Sequence, residues 1–97
     1  MITAIVLIGA DRDVLPELGG TLADVAGVAE AYSVTGDWDF ACIVRVPRHE
    51  QLAEVISGTI AKLTGVSRTQ TMVAFEAFSR HDLDAMFDVG NPAPDER

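Results

Sequence analysis

A glycine, two carboxylates and the chain's one tryptophan fall together at Gly36-Asp37-Trp38-Asp39, in a protein of 97 residues whose other aromatic side chains are one Tyr and four Phe. A carboxylate can receive an ammonium group while the indole packs beside an apolar side chain, which is the chemistry needed to hold a free amino acid. Gly36 lets the backbone turn sharply and offer its amide N–H groups, so the site would gain donors without basic side chains. Asp39 adjoins the start of a strand at Phe40 and is the preferred ammonium acceptor, with Asp37 more solvated. The hydroxyls of Thr69 and Thr71, next to Arg68 in sequence, are candidates for the carboxylate end. On residue types alone the four loop residues also read as a surface turn, and the two threonines as ordinary strand residues.

Catalytic chemistry finds little material. There is no glycine-rich phosphate loop, no Cys/His cluster at metal spacing and no Ser/His/Asp set, so no catalytic residue, no metal ligand and no cofactor is assigned. His49 reads as a surface residue ahead of a helix, and His81 follows the last strand without a fixed partner. Cys42, between Ala41 and Ile43, reads as a small buried hydrophobe.

The elements that must position these residues follow from patterning. Residues 2–8 form a β-branched apolar run too short for a helix, read as a strand buried on both faces. Asp13 is expected to cap a helix that tolerates Pro16 in its first turn, carries Leu15, Leu18, Leu22 and Val25 on one stripe, and ends at Gly27. Residues 28–34 and 40–46 make two strands of a hairpin around the 36–39 loop, with Val28, Tyr32 and Val34 on one side of the first. Leu52, Val55, Ile56, Thr59, Ile60 and Leu63 predict one helix over residues 49–63. Alternation over residues 69–78 predicts the fourth strand, and two helical turns are expected over 81–87. Residues 22–28 and 60–66 repeat as apolar, Ala, charged, apolar, small, Gly, Val, so the chain reads as βαβ twice. That order is the α+β, ferredoxin-like βαββαβ architecture: a four-stranded antiparallel sheet with two helices on one face. Its strands are apolar on both sides, so the uncovered face is expected to pair with a second subunit, as in a dimeric α+β barrel. Residues 1–79 are read as the domain and 80–97 as a partly disordered C-terminal extension.

Composition narrows the function class. A chain of this length buries roughly 64% of its unfolded surface, enough for one small core. Hydrophobic residues at 48% exclude a disordered chain, and 15 acidic against 7 basic side chains give a net charge of −8 that repels phosphate backbones and anionic lipid. One cysteine and the absence of any long apolar stretch point to a reduced, cytoplasmic protein that neither crosses a membrane nor binds DNA directly.

The run Val28-x-x-x-Tyr32-Ser33-Val34-Thr35-Gly36-Asp37-Trp38-Asp39-Phe40, with Gly65-Val66-x-Arg68-Thr69-x-Thr71 after the second helix, resembles the effector-binding domain of the Lrp/AsnC transcription regulators, also called the regulation-of-amino-acid-metabolism domain. The resemblance covers about residues 2–78. It implies pairing through the sheets into dimers that form rings such as octamers or decamers, binding of an amino acid or similar small effector between dimers, and partnership with full-length Lrp/AsnC regulators. It places the ligand at Gly36, Asp37, Trp38 and Asp39, with Thr69 and Thr71 on the partner strand. Family members of full length carry an N-terminal helix-turn-helix; because Met1 opens the first strand here, that segment is expected to be absent. Trp38 stands where the family often has tyrosine or phenylalanine. Two rival readings share the fold: a dimeric α+β-barrel enzyme such as a small monooxygenase or isomerase, and an assembly module without a ligand.

Overall fold

The computed structural model describes residues 1–78 and Arg80. The expected helical turns over 81–87, His81, the boundary at 79 and the rest of the extension lie outside them. Strand β1 (Ile2–Ala10) leads through a 3₁₀ turn (Arg12–Val14) into helix α1 (Leu15–Ala23), strand β2 (Val28–Ser33) and strand β3 (Phe40–Val46). Helix α2 (Glu50–Ile56), a second 3₁₀ turn (Ile60–Lys62) and strand β4 (Val66–Ala74) complete the chain. The sheet order is β2-β3-β1-β4 with every neighbouring pair antiparallel. Two split βαβ units therefore interlock, each helix linking strands that are parallel and one strand apart, and the ferredoxin-like α+β reading holds.

Alternation decides which side of the sheet is covered. Ala4, Val6 and Ile8 of β1 and Phe40, Cys42, Val44 and Val46 of β3 are buried and form the core with Leu18 and Leu22 of α1, Leu52 and Val55 of α2, and Ile60. The opposite face carries Ile5 and Leu7 of β1 against Ile43 and Ala41 of β3, all only half-buried. Strand β1 is thus fully buried on one face only, where the apolar run alone predicted burial on both.

Three further expectations are corrected. Asp13 caps nothing: it lies inside the 3₁₀ turn, α1 begins at Leu15 with Pro in its first turn, and no side chain caps it. Residues 49–63 are not one helix. Ser57 and Gly58 N–H both donate to the Ala53 carbonyl (2.9 Å each), and Thr59 Oγ1–H donates to the Glu54 carbonyl, so the ladder slips at Gly58 and reforms as a 3₁₀ turn. Strand β4 spans Val66–Ala74 rather than 69–78, leaving Phe75 and Phe78 exposed beyond it.

A register shift between Val28 and Glu30 also breaks the expected alternation of β2. Val28 pairs with the core residue Val44, but past the bulge Tyr32 pairs with Ala41 on the open face. There a hydrogen bond to the Glu30 carboxylate pushes the Tyr32 phenol above its ordinary pKa.

Candidate functional site

The loop between β2 and β3 is held by the end of β1. Val34 N–H donates to the Asp39 carbonyl (3.0 Å), closing the hairpin, and Asp39 N–H donates to the Ile8 carbonyl (2.9 Å). The Asp39 side chain completes the attachment, because Ala10 N–H donates to its Oδ2 (2.8 Å). Gly36, at the exposed tip, has φ +102° and open space around it, so backbone conformation rather than crowding favours glycine there.

A second attachment comes from β4. Arg68 pairs with Gly9 across the β1–β4 ladder, and its guanidinium lies over the Trp38 ring, 4.1 Å from the centroid. The same guanidinium donates from Nη2 to the Asp37 carbonyl. Gly9 makes this possible: a Cβ there would sit 2.8 Å from Arg68 Cγ and Nε. One basic side chain thus braces an acidic loop by a cation–π contact and a charge-assisted hydrogen bond. Trp38 and Asp39 are half-buried, while Gly36 and Asp37 face solvent.

The expected site residues are brought together only in part. Arg68 meets Asp37 and Trp38, while Asp39 is bonded to Ile8 and Ala10 at the end of the central strand β1. Thr69 and Thr71 pair with Ile8 and Val6, so they share the helix-covered face, whereas Arg68 and Gln70 pair with Gly9 and Leu7 on the open face. Adjacent in sequence, the Arg68 guanidinium and the Thr69 hydroxyl therefore leave β4 on opposite sides. Phe40 and Thr69 flank Ile8 from either side, two strand spacings or about 10 Å apart.

Beside the loop, on the α1 side, a hollow of about 360 Å³ is lined by Leu15, Pro16 and Gly19 of α1 together with Ser33, Val34, Asp39 and Phe40. Gly19 lets α1 lie close to the strand end: a Cβ there would meet the Phe40 ring at 3.3 Å. Neither Gly9 nor Gly19 was assigned a site role from sequence. The partners that give each glycine its role, Arg68 and Phe40, are remote in the chain.

The remaining chemistry is sparse. Among the described residues no group of three or more His, Cys, Asp or Glu could hold a metal ion, and no polar or charged residue is buried. Burial pushes the Cys42 thiol up to about 11, far from a reactive thiolate. No described helix is long and apolar enough to cross a membrane.

A family model for the Lrp/AsnC ligand binding domain matches residues 3–83. The chain belongs to the Lrp/AsnC ligand binding domain family. This Lrp/AsnC domain is 34% identical over 76 residues to an uncharacterized HTH-type transcriptional regulator of Pyrococcus furiosus, a match covering 75% of this chain and 51% of the relative. It spans about half the length of the curated relatives it matches first. A crystal structure from Thermus thermophilus is 44% identical with a TM-score of 0.78, covering 82% of this Lrp/AsnC domain and 100% of that chain. A feast or famine regulatory protein from M. tuberculosis, solved as a complex with L-methionine, shares the fold at 24% identity with a TM-score of 0.66, over 81% of this chain and 53% of that one.

Proposed function

We propose that this domain binds a free amino acid or similar small effector at the 36–39 loop and couples that binding to oligomerisation, modulating transcription through a partner regulator rather than by touching DNA. The observation that carries the reading is the loop itself: three hydrogen bonds and the Arg68 brace hold it beside a hollow that Asp39 helps to line, while Asp37 and the Gly36 backbone stay open to solvent. A connecting turn needs only to reverse the chain, and a polar loop fixed by two neighbouring strands is preorganised to hold something. The L-methionine complex of the M. tuberculosis relative supports an amino acid as the ligand class.

In this reading Asp39 receives the ammonium group, Gly36, Asp37 and Trp38 shape the loop, and Thr69 and Thr71 act from the strand that meets it, each side of the site supplied by different copies. The half-buried Ile5, Leu7, Ala41 and Ile43 make the open sheet face the dimer contact. With a net charge of −8, duplex DNA is not a ligand of this chain at physiological salt. A binding role rather than an enzymatic one is supported by the match to a ligand binding domain family. A thermal-shift screen of the common amino acids tests the proposal. Selective stabilisation by one or a few supports it; a flat response to all of them at millimolar concentration contradicts it.

A further inference from the structure

The guanidinium of Arg68 is fixed in place and only partly used. Its face lies on the Trp38 indole, and stacking engages the plane of the group, not its edge. A guanidinium has five N–H donors. The described hydrogen bonds of Arg68 use one donor, from Nη2 to the Asp37 carbonyl. Arg68 itself is exposed and lies on the open sheet face, paired with Gly9 at the end of the β1–β4 ladder. Gly9, beneath the side-chain stem, keeps that position accessible.

We infer that Arg68 is the anion anchor of the effector site, taking the carboxylate of the ligand on its free edge while Trp38 holds the guanidinium flat. The inference rests on the proposed function and adds to it a ligand class: the effector carries a free planar oxyanion, and its amide or ester is a poor substitute. Strand alternation sends Thr69 and Thr71 to the other face, so within one chain they cannot share a carboxylate with Arg68. An unrestrained surface ion pair contributes up to about fivefold in affinity. Here the side chain is already ordered by the stack and presents parallel donors, so the expected contribution is about tenfold or more.

Trp38 is the only tryptophan, so its emission reads the stack directly. The test titrates wild type and Arg68→Gln with L-methionine, L-methioninamide and acetate, following Trp38 emission and heat. The inference expects the wild type to bind L-methionine at least tenfold more tightly than the amide, to show a Trp38 shift with acetate at high concentration, and to lose both properties in Arg68→Gln. Equal affinity of Arg68→Gln and wild type for L-methionine overturns the anchor while leaving the proposed function standing. A Trp38 response to acetate that Arg68→Gln abolishes, with no response to L-methionine, supports the anchor and counts against an amino-acid effector of that kind. No response of the wild type to any of the three overturns the anchor. Circular dichroism of Arg68→Gln checks that the fold is kept, and Arg68→Lys, which keeps the charge but not the planar fork, is expected to recover less than half of the lost affinity.

Discussion

Gly9 and Arg68 face each other across the β1–β4 ladder, and the missing side chain of Gly9 is the space through which Arg68 reaches the β2–β3 loop. Gly9→Ala would put a methyl group 2.8 Å from Arg68 Cγ and Nε, and the flexible arginine must give way. The expected result is a Trp38 emission shift like that of Arg68→Gln, with little loss of stability because the displaced group is exposed. Unchanged Trp38 emission in Gly9→Ala would mean that the arginine does not depend on that gap.

Gly58→Ala sets two effects against each other. Helix propensity alone favours alanine by about 1 kcal/mol. In the structure, however, a Cβ at Gly58 would lie 2.6 Å from the Glu54 carbonyl oxygen, a backbone atom that cannot swing aside. The clash should win, and urea unfolding should show the variant destabilised by roughly 1–3 kcal/mol. A stabilised variant would restore the continuous helix that the apolar spacing suggested.

That helix shows where sequence reasoning stops. The apolar positions Leu52, Val55, Ile60 and Leu63 are those expected and pack on the core, because burial follows the stripe whether the backbone is α or 3₁₀. The slip at Gly58 depends instead on which donor reaches the Ala53 carbonyl, which spacing does not record. Strands β1 and β3 were legible because apolar β-branched runs specify their own type. The bulge that turns Tyr32 to the open face was not, since it is settled by pairing with β3. In the loop, residue types single out Asp37, Trp38 and Asp39 as candidates, but the Asp39 bond to Ala10 joins residues 29 apart and the Arg68 bond to Asp37 joins residues 31 apart. Only folding brings such partners together.

The open sheet face makes a prediction about assembly. Ile43 is half-buried in one chain and lies among Ile5, Leu7 and Ala41, so Ile43→Glu should leave the fold intact and place a charge in the proposed dimer contact. Light scattering after size exclusion should find wild type as a dimer or larger and Ile43→Glu as a monomer, with unchanged far-ultraviolet circular dichroism. A wild-type monomer at micromolar concentration would remove the sheet face as the contact.

Cys42 makes a prediction about pH. Its thiol is raised from 9.0 to about 11 by burial, so the folded state holds the proton longer than the unfolded one. The associated stability is fully present below about pH 9 and is lost as pH rises towards 11, by roughly 2 kcal/mol. Cys42→Ala should be less stable than wild type at pH 8 because of the cavity, with the gap narrowing between pH 9 and 11. A constant gap in urea unfolding across that range would contradict burial of the thiol.

The central claim is that the 36–39 loop holds an amino acid, with Asp39 as the ammonium acceptor, and one substitution isolates it. Asp39→Ala would also strip Ala10 N–H of its acceptor and so mix binding with loop stability. Asp39→Asn keeps an oxygen for Ala10 and removes only the charge. The decisive measurement is calorimetric titration of the amino acid that stabilises wild type most into wild type, Asp37→Asn and Asp39→Asn. The expected result is a ten- to hundredfold loss of affinity in Asp39→Asn, a smaller loss in Asp37→Asn, and an unchanged oligomer in both. Wild-type affinity in Asp39→Asn would contradict it and move the ligand away from this loop.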